Sequence, residues 1–492
     1  MAQGKRLKTE GTINKRGKKN NKALDTFFKL IAFAYVVITI IFYISILKMN
    51  LLPGWVIAIF TGAEIIFTVA MVIGLVKRHK TYTLTVISLI IILFVSGIYI
   101  YVTNYALATI SFLGDVFQET KETDEYYIIV RKDSSYDKVE DVKDKNVHFF
   151  QVADDVKSNL TKKVSVTLVN QENLLDLGNK LLGKNVDVIL ISATQYNMLG
   201  DEIKNFREST KILYTIKHEI QTSTKTAETG SKYSVKSGKF NVYITGIDTT
   251  GSISNVARSD ANILMTVNTN THEALLTSIP RDYYVTLHSY GAKDKLTHSG
   301  IYGVNETVKT VEDLLDTDIN YYVRVNFTTV IKLVDKLGGI DVYSDYDFTT
   351  SDNLYTFKKG YNHMNGEKAL RFSRERYAFP SGDNQRVKNQ QAVIEAVMKK
   401  VLNSTTLLTK YTNILDSLKG SFQTNIAQED ISKLVKDQIN DMSSWTIKSN
   451  SLTGTGASSS TYSMGSTKLY VMVPNSTSVT SAKEKIDEVL GE

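Results

Sequence analysis

The chain of 492 residues is 42% hydrophobic and 10% aromatic, so it is long enough to form two or three domains with buried cores. It has no cysteine, which excludes disulfide bonds and thiolate metal sites, and its seven histidines show no HxH or HExxH spacing, so we expect no zinc site. The formal net charge of +7 is accounted for by residues 1–29, and because the remainder is formally neutral we predict no nucleic-acid partner.

Three long apolar segments follow this basic tail, at residues 30–47, 54–76 and 82–102. Each has about 20 residues, which is the length that a helix needs to cross the hydrocarbon core of a bilayer. We therefore predict three transmembrane helices within residues 30–105. A cleavable signal peptide does not fit, because the first apolar run is too long and two more follow it.

The distribution of basic residues predicts the orientation of these spans. Lysine and arginine are enriched in the tail 1–29 and in the tight loop KRHK at 77–80, which places both in the cytoplasm. An odd number of spans then puts everything after about residue 105 on the outer side of the membrane.

Glu64 lies in the middle of the second apolar segment. An ionisable side chain within a membrane span is a functional candidate. The alternative, which we favour, is that Glu64 pairs with threonine or tyrosine hydroxyl groups of the neighbouring spans.

A small α/β domain is predicted between residues 106 and 220. The strands are expected at 126–132, 147–152, 164–169 and 186–192, with a helix at 171–182 between the last two. This alternation indicates some parallel pairing, and the segment shows no nucleophile–base set or phosphate loop. We therefore expect this accessory domain to act in structural support or partner binding.

Residues 221–239 are rich in Ser, Thr, Gly and Lys and are predicted to be a linker. A larger α/β domain follows at 240–492, with a polar loop near 453–466. Its predicted elements are a strand at 240–248, a hairpin at 261–280, a helix at 304–317, a β-α-β unit at 321–344, helices at 386–402 and 428–440, a strand at 469–474 and a final helix at 481–490.

The first candidate site of this domain follows the strand 240–248. Asp248 and Asp260 flank a loop of Gly, Ser and Thr, and Arg258 stands just before Asp260. Two carboxylates form a suitable oxygen donor set for one Mg²⁺ that shares a substrate phosphate and water. The alternative is that Asp248 only caps a turn.

A second candidate is Arg281 in the stretch SIPRDYY, where Pro280 fixes the backbone just before it. The alternative is a structural ion pair between Arg281 and an acid such as Asp282.

The third candidate is the stretch RFSRERYAFPSGDNQRVKNQQ at 371–391, which contains Arg371, Arg374, Arg376 and Arg386. Arginine grips phosphate or carboxylate through two parallel hydrogen bonds, so the cluster indicates an anion site. A solvated helix face is the alternative. Arg374 and Arg376 point the same way only if the chain between them is extended.

The end of this stretch predicts a helix that begins near Arg386, with Asp383 or Asn384 as its N-cap. Arg386 and Gln390 are four positions apart and share one face. That face lies at the helix N-terminus, where the partial positive charge favours an anion.

Together these segments resemble the LytR–CpsA–Psr family of extracytoplasmic phosphotransferases. The matching stretches, in the order of that family, are GIDTTGSISNVARSDANILMTVN, LLTSIPRDYYV, KLTHSGIYG, VDKLGGIDVY and RFSRERYAFPSGDNQRVKNQQ. Three N-terminal spans and an extra domain resemble its capsule-associated CpsA branch. The expected fold is a membrane-anchored α/β protein with three transmembrane helices, a small α/β accessory domain and an α/β/α catalytic domain around a central mixed sheet.

The resemblance implies a phosphotransferase that moves a capsular glycopolymer from a polyprenyl pyrophosphate carrier to cell-wall peptidoglycan. It implies Mg²⁺ as the cofactor, with Mn²⁺ as the alternative, and the cell membrane of a Gram-positive-type envelope as the location. The implied partners are the lipid-linked polysaccharide, the peptidoglycan acceptor, the lipid membrane and other capsule-assembly proteins. The competing hypothesis is a membrane-bound sensor of capsule biosynthesis that binds lipid-linked glycan without turnover.

The resemblance also assigns roles to individual residues. The metal ligands are Asp248 and Asp260. The pyrophosphate-binding residues are Arg258, Arg281, Lys295, Arg374, Arg376, Arg386 and Gln390. The catalytic residues are Arg281, Arg376, Asp260 and Asp383. The general base stays open between Asp260, Asp383 and an acceptor hydroxyl activated by the metal.

Two further points concern the helix after Arg386. Asn389 stands where many members of the family have another arginine, so a phosphate contact at this position is not expected. The apolar face of 393–402 is a candidate lining for the polyprenyl tail, with ordinary core packing as the alternative. Its residues are Val393, Ile394, Val397, Met398 and Val401.

Overall fold

The computed structural model describes residues 13–50, 52–77, 83–116, 122–220, 233–247, 253–380, 382–403, 421–441 and 443–492. The chain divides into two compact units. The first comprises Met1–Leu113 with Ser432–Met442, and the second comprises Gly114–Ile431 with Ser443–Glu492.

The first unit contains three long helices, α1 (Ile13–Met49), α2 (Gly54–Val76) and α3 (Thr83–Val116). By length and composition they supply three membrane spans, Lys22–Met49, Gly54–Val76 and Thr83–Ser111. Large apolar side chains such as Phe33, Ile66 and Phe94 are exposed on these helices, as expected of surfaces that face lipid. The prediction of three apolar spans is confirmed.

Glu64 on α2 is held by hydroxyl groups. Tyr99 Oη on α3 donates to Glu64 Oε2 at 2.5 Å, and Thr68 Oγ1 donates to Oε1 at 3.0 Å from one turn further along α2. The interpretation that Glu64 pairs with tyrosine and threonine hydroxyls is confirmed, although the threonine lies on its own helix.

A five-stranded sheet forms the accessory region of the second unit, in the order β3-β2-β4-β1-β5. Its strands are β1 (Glu122–Arg131), β2 (Asn146–Phe149), β3 (Thr167–Asn170), β4 (Val188–Ser192) and β5 (Thr210–Ile220). The helices around it are α4 (Asp154–Lys163), α5 (Leu174–Leu182), α6 (Ala193–Glu202) and α7 (Phe206–Ser209), with a 3-10 turn at Val139–Val142. The parallel pairing of β2 with β3 and β4 confirms the layered α/β prediction.

The alternation of apolar side chains along β1 explains why this sheet is covered on both faces. Ile128 and Val130 enter the core under α4, whereas Ile129 enters a second core under α5 and α6. Strand β5 was not predicted from the sequence; it pairs antiparallel with β1 as an edge strand and begins directly after α7.

A six-stranded mixed sheet forms the centre of the larger region, in the order β16-β11-β6-β7-β8-β17. These strands are β6 (Lys239–Ile247), β7 (Ser259–Asn268), β8 (Glu273–Ser278), β11 (Tyr321–Val325), β16 (Phe422–Thr424) and β17 (Thr446–Ser451). The pairs β6–β11 and β8–β17 are parallel, and the other three pairs are antiparallel, which confirms the predicted hairpin and the mixed sheet.

Shorter strands and helices complete this region. The strands are β9 (Tyr284–Thr286), β10 (Lys293–Lys295), β12 (Ile340–Ser344), β13 (Phe348–Thr349), β14 (Thr356–Phe357), β15 (Gly360–Met364), β18 (Gly454–Thr461) and β19 (Gly465–Pro474). The helices are α8 (Leu296–Ser299), α9 (Val304–Leu315), α10 (Phe327–Lys336), α11 (Gly366–Arg374), α12 (Asp383–Asn403) and α14 (Ser476–Leu490), with 3-10 turns at Val235–Ser237 and Gly300–Tyr302. Helix α13 (Gln428–Asp441) belongs to the first unit from Ser432 onward.

Two helical layers enclose the six-stranded sheet. Leu264 and Leu275 from β7 and β8 form one core with Val311 of α9 and Ile486 of α14. Helix α12 packs against β7, β8 and β17, and it joins α10 and α11 in another core. The α/β/α arrangement expected from the sequence is therefore present.

Two predictions about this region are wrong. Strand β12 does not continue the main sheet as a β-α-β unit but pairs antiparallel with β15, because Gly338 and Gly339 both adopt positive φ angles and turn the chain after α10. The polar loop near 453–466 is largely the strand β18, paired with β19. Its Gly, Ser and Thr side chains are mostly exposed in a two-stranded ribbon, so no apolar alternation marks it.

The division at the predicted linker 221–239 stays a prediction. Residues 221–232 lie outside the described residues. Tyr233 and Val235 are buried, and Tyr233 packs in the core of the six-stranded sheet.

Two of the apolar residues predicted to line a lipid cleft lie instead in core packing. Val393 is buried, and Val397 packs against the same cluster as α10 and α11. Ordinary core packing therefore accounts for both. The side chain of Val401 lies outside the described part of the chain.

Candidate functional site

Asp260 is the centre of the candidate site, and it lies at the start of β7. Its Oδ2 is 2.7 Å from Arg281 Nη1, and its Oδ1 accepts a hydrogen bond from Thr297 Oγ1 at 2.8 Å. Arg281 follows β8 and Thr297 lies on α8, so three separate segments meet at this carboxylate. The Asp260 side chain is 18% exposed and remains accessible from solvent.

Three guanidinium groups act on Asp260. Burial by itself would raise the pKa of this carboxyl, but the positive charges of Arg281, Arg258 and Arg386 lower it. Together with the Thr297 hydroxyl they hold the pKa of Asp260 below its usual range. Asp260 is therefore ionised at neutral pH within a strongly positive environment.

Lys295 contributes a further cation beside Arg281. Its Nζ is 3.1 Å from Asp282 Oδ1, and both side chains are almost completely buried. Arg281 Nε is 3.9 Å from Asp282 Oδ2, which is longer than its 2.7 Å contact with Asp260. The ion pair between Arg281 and Asp282, which we considered as the alternative, is thus the weaker of the two contacts.

Arg258 is held from the accessory region. Its Nη1 is 2.9 Å from Oδ2 of Asp201, the ninth residue of α6. Thr194 Oγ1 on the same helix donates to the carbonyl of Val256 at 3.1 Å, which fixes the segment that precedes Arg258. The accessory region therefore helps to position one of the three guanidinium groups.

The N-terminal turn of α12 delivers Arg386 to the site. The helix begins at Asp383, slightly before the start predicted near Arg386, so Asp383 and Asn384 lie inside the helix and not at its N-cap. Arg386 is buried, with a relative exposure of 7%. Gln390 lies one turn further along and is half-buried. The side chain of Asp383 lies outside the described residues, so its assigned catalytic role stays a prediction.

Arg374 and Arg376 leave the end of α11 on either side of Glu375. This residue is extended, with φ −64° and ψ 131°, and its buried carboxylate accepts backbone N–H groups of Ser351, Arg376 and Ala378 at 2.7 to 3.0 Å. Arg374 and Arg376 were expected to point the same way only if the chain between them is extended, and Glu375 meets this requirement. Neither arginine is among the main charges that act on Asp260, and Arg376 stacks on Tyr377.

Arg371 does not belong to the site. Its guanidinium forms ion pairs of 2.9 Å with Glu367 on its own helix and with Asp352. For this arginine the solvated-face alternative is the better description.

Asn389 has a structural role. It is buried, its Nδ2 donates to the Phe372 carbonyl of α11 at 3.2 Å, and its Oδ1 accepts from Gln385 at 3.1 Å. The expectation that this position makes no phosphate contact agrees with these bonds, which tie α12 to α11.

Of the two proposed metal ligands, only Asp260 lies within the described residues. Asp248 lies outside the described residues, and in the described ranges no group of three or more His, Cys, Asp and Glu side chains is placed to hold a metal ion. Asp260 offers carboxylate oxygens at a partly exposed position, and one or two carboxylates with several waters are a usual Mg²⁺ environment. Asp260 therefore fits a Mg²⁺ that also contacts substrate, and the metal assignment stays a prediction.

Two contacts at the site were missed from the sequence. Thr297 lies two residues after Lys295 in the stretch KLTH, so its position next to a candidate cation was the available signal. Asp201 carries no local signal, because it lies in the accessory region and meets Arg258 only through the fold.

The fold is that of an α/β protein that begins with three helices long and apolar enough to span a membrane, and arginine side chains gather around Asp260 at the edge of its mixed sheet. The family model described as the LytR_cpsA_psr family matches residues 203–485. The chain belongs to this family.

Three comparisons illustrate the relationship. The chain is 35% identical over 206 residues to a polyisoprenyl-teichoic acid–peptidoglycan teichoic acid transferase TagU of Bacillus cereus, covering 42% of this chain and 66% of the relative, just under two thirds. It is 33% identical to the TagU of Enterococcus faecalis, covering 50% and 81%. The crystal structure of B. subtilis TagU is 30% identical, with coverage of 52% and 97% and a TM-score of 0.41.

Proposed function

We propose that this protein is an extracytoplasmic phosphotransferase that moves a glycopolymer from a polyprenyl pyrophosphate carrier to peptidoglycan. The observation that carries the proposal is the convergence of Arg258, Arg281 and Arg386 on Asp260. Planar guanidinium groups bind phosphate through paired hydrogen bonds, and a pyrophosphate contains two phosphate groups. The relatives named above are transferases that use a polyisoprenyl-linked polymer and peptidoglycan, which supports the same reaction class here.

The proposed reaction is a phosphoryl transfer. An acceptor hydroxyl oxygen attacks the phosphorus that carries the glycan, the bond from this phosphorus to the bridging oxygen breaks, and polyprenyl monophosphate leaves. The hydroxyl proton passes to a base. Such reactions depend mainly on positioning and on stabilisation of negative charge, which arginine side chains supply.

The residues of the site have different roles in this proposed reaction. Arg281, Arg258 and Arg386 would bind the pyrophosphate oxygens, with Lys295, Arg374, Arg376 and Gln390 as further contacts at its margins. Asp260 orients Arg281 through their 2.7 Å contact. Because its pKa is lowered, Asp260 is a weak base, and we assign proton acceptance to Asp383 instead.

Mg²⁺, or alternatively Mn²⁺, would be held by Asp248 and Asp260. When bound, the ion would stabilise negative charge on the phosphate oxygens as a Lewis acid. Asp260 Oδ1 accepts from the Thr297 hydroxyl and Oδ2 contacts Arg281, and an ionised carboxylate has about four acceptor positions in all.

We also propose that the three spans place the basic tail 1–29 in the cytoplasm and the site outside the cell. The charge distribution between the tail and the loop 77–80 supports this orientation. The polymer would be a capsular polysaccharide, since three spans and an accessory domain resemble the CpsA branch.

The test uses the full chain in lipid nanodiscs with a polyprenyl pyrophosphate-linked glycan, peptidoglycan fragments and Mg²⁺. Release of polyprenyl monophosphate together with a glycan–peptidoglycan product supports the transferase. Arg281→Ala should lower transfer by about 10²- to 10³-fold, and Arg374→Ala should lower it in the same direction. EDTA should stop the reaction, and Mg²⁺ or Mn²⁺ should restore it.

Arg371→Ala is the matched control, because this arginine comes from the same segment but is paired with Glu367 and Asp352. It should keep transfer within about twofold, since surface ion pairs contribute little. Circular dichroism would check that each variant is folded. Full activity of both Arg281→Ala and Arg374→Ala would refute the site assignment, and tight lipid binding by the wild type without turnover would support the sensor instead.

A further inference from the structure

Three tyrosine rings from separate segments meet on the surface of the second unit, and we call them the tyrosine cluster. Tyr290 comes from the turn between β9 and β10, Tyr302 from the 3-10 turn after α8, and Tyr462 from the turn between β18 and β19. The ring centroid of Tyr290 is 4.6 Å from that of Tyr302 and 5.0 Å from that of Tyr462, and those two are 6.0 Å apart. None of the three belongs to the candidate site around Asp260.

The accessory region holds the tyrosine cluster through Gln151, which lies two residues after β2. Its Oε1 accepts a hydrogen bond from Tyr302 Oη at 3.2 Å, and its Nε2 donates to the Tyr462 carbonyl oxygen at 3.0 Å. Gln151 has a φ of 47°, in the left-handed region that a residue with a side chain adopts uncommonly and at a cost. Backbone strain of this kind is concentrated at functional sites, so the position of Gln151 points to a role beyond folding.

The tyrosine cluster is accessible to a ligand, and Tyr290 is its most exposed member. Tyr290 is 43% exposed, and Tyr302 and Tyr462 are partly exposed. Burial raises the pKa of both Tyr290 and Tyr302, and the negative charge of Glu306 raises both further. The hydroxyl groups of these two residues are therefore protonated at neutral pH and able to donate hydrogen bonds.

Short connections join the tyrosine cluster to the candidate site. The backbone N–H of Tyr462 donates to the carbonyl of Lys293 at 3.0 Å, and Lys293 and Lys295 are the first and last residues of β10. The Cα atoms of Tyr462 and Lys295 are therefore separated by at most about 13 Å, from the usual Cα spacings along a strand and across a hydrogen-bonded pair. A chain of a few sugar rings spans this distance.

The chemistry of the tyrosine cluster fits an oligosaccharide. A sugar ring presents an apolar face of C–H groups and a rim of hydroxyl groups, and tyrosine offers an aromatic face together with a hydroxyl group. Rigid tyrosine rings also give a large amphipathic contact area at a low cost in conformational entropy. The second N–H of the Gln151 amide is a further donor. All of these side chains are neutral, which distinguishes the cluster from the arginine-rich site around Asp260.

We propose that the tyrosine cluster is a binding site for an oligosaccharide, in which a sugar ring stacks on the exposed ring of Tyr290. The site is built jointly by the accessory region and the larger region, because Gln151 fixes Tyr302 and Tyr462. The inference rests on the proposed function only for the source of the sugar, which is either the peptidoglycan acceptor or the polymer that is transferred. Both are chains of sugar rings, and the experiment distinguishes them.

The experiment measures binding of two lipid-free probes to the full chain in nanodiscs by saturation-transfer NMR. The first probe is a tetrasaccharide of alternating N-acetylglucosamine and N-acetylmuramic acid, the backbone of peptidoglycan. The second is cellotetraose, a neutral glucose tetramer that represents a polymer of unmodified hexoses. The wild type should bind at least one of them.

Two substitutions of Tyr290 test the stacking contact. Tyr290→Ala should weaken binding of the bound probe by about tenfold, because a central aromatic side chain carries much of the energy of a binding site. Tyr290→Phe should keep binding within about threefold of the wild type, since the stacking face remains and only one hydroxyl group is lost. If Tyr290→Phe binds as weakly as Tyr290→Ala, stacking is refuted. Circular dichroism would check that both variants are folded.

Tyr343→Ala on β12 is the matched control. Tyr343 is 47% exposed and its ring centroid is 5.4 Å from that of Tyr361, so it resembles Tyr290 in exposure and in having a tyrosine neighbour, but it lies outside the tyrosine cluster. This variant should bind both probes as the wild type does. If Tyr343→Ala weakens binding as much as Tyr290→Ala does, the sugars bind any exposed tyrosine and the proposed site is refuted.

The outcomes separate the source of the sugar and the two proposals. Tighter binding of the first probe identifies the peptidoglycan acceptor, and tighter binding of cellotetraose identifies the transferred polymer. If the wild type binds neither probe, or if Tyr290→Ala binds both as the wild type does, the sugar site is refuted, whereas the transferase is judged separately by release of polyprenyl monophosphate. Sugar binding that depends on Tyr290 without any such release would refute the transferase and leave the sugar site.

A second copy of the chain is the competing occupant of the tyrosine cluster. Sedimentation of the full chain in detergent detects it, because loss of an interface lowers the sedimentation coefficient. If Tyr290→Ala lowers this coefficient and leaves binding of both probes unchanged, the cluster is an interface between copies and the sugar site is refuted.

Discussion

Glu122 and Arg324 form a buried ion pair that joins the accessory sheet to the central sheet. Their side chains are 0% and 2% exposed, and Arg324 Nη1 donates to Glu122 Oε1. Arg324 Nη2 also donates to the Asn255 carbonyl at 2.8 Å, and Glu122 accepts the N–H of Val304. We predict that Glu122→Gln, which keeps the shape but removes the charge, strongly destabilises the second unit.

The expected loss of stability in Glu122→Gln follows from the burial of the ion pair. Burial raises the pKa of Glu122 and lowers the pKa of Arg324, and in each case the attraction of the partner opposes the shift without cancelling it. The pair is therefore costly to bury even when complete. Removing one partner leaves a buried charge uncompensated, which costs about 3–5 kcal/mol in comparable cases.

Hydrogen exchange of the full chain is the suitable assay, because a chain with several domains does not unfold in a single two-state step. Amides of β1 and β11 should exchange about 10²- to 10³-fold faster in Glu122→Gln, since each 1.4 kcal/mol is a factor of ten. Asp176→Asn is the control. It breaks the pair between Asp176 and Lys180, whose side chains are 52% and 40% exposed, and should cost at most about 1 kcal/mol.

The double variant Glu122→Leu with Arg324→Met tests the reasoning itself. If the cost of Glu122→Gln comes from an isolated buried charge, removing both charges should restore most of the protection. Exchange in Glu122→Gln as slow as in Asp176→Asn would refute the estimate. A double variant as fast as the single one would show that shape, and not charge, fixes this junction.

Three further predictions concern positions with different constraints. Gly300→Ala should reduce transfer more than it reduces stability, because a Cβ at this position lies 2.6 Å from the Ala257 carbonyl oxygen and must shift the segment that carries Arg258. Transfer activity and melting temperature would be compared between the variant and the wild type. Asn389→Arg should lower the melting temperature by several degrees, since it buries an unmatched charge between α11 and α12, and an unchanged value would contradict this. The raised pKa of Asp124 means that the folded state binds its proton more tightly, so the contribution of this carboxyl to stability should fall by about 4 kcal/mol as pH rises from about 4 to about 7, at 1.4 kcal/mol per unit. Asp124→Asn should remove this contribution, which the difference between the wild-type and variant pH profiles of hydrogen exchange in β1 would show, and identical profiles would contradict it.

The apolar pattern of the sequence predicted those elements that bury a regular face. The membrane spans, the hairpin of β7 and β8 and the amphipathic helix α9 all have such a face. The ribbon strand β18 has none, because its small polar side chains are mostly exposed, and its position follows from pairing with β19. Pairing between distant segments is a tertiary effect that local pattern does not encode.

The candidate site also combines features that the sequence predicted with features that depend on the tertiary structure. Residue type and the family resemblance identified Arg281 and Asp260, and the structure joins them at 2.7 Å. Residue type alone did not distinguish Arg371, which pairs with acids, from Arg386, which acts on Asp260, whereas the family resemblance assigned a phosphate contact only to Arg386 of these two. Their difference depends on which helix each begins or ends, and therefore on a helix break between them at residues 375–382.

The accessory region is physically continuous with the catalytic region, and this bears on its function. Met464 and Leu469, from the β18–β19 ribbon, pack in the same core as Leu174 and Phe206 of the accessory helices. Removing the accessory sheet would expose these side chains and also the buried charge of Arg324. A deletion would therefore unfold much of the second unit, and loss of activity after deletion would say little about glycan recognition. Single substitutions on the exposed side of α6, such as Asn197→Ala, avoid this ambiguity because they leave the shared core intact.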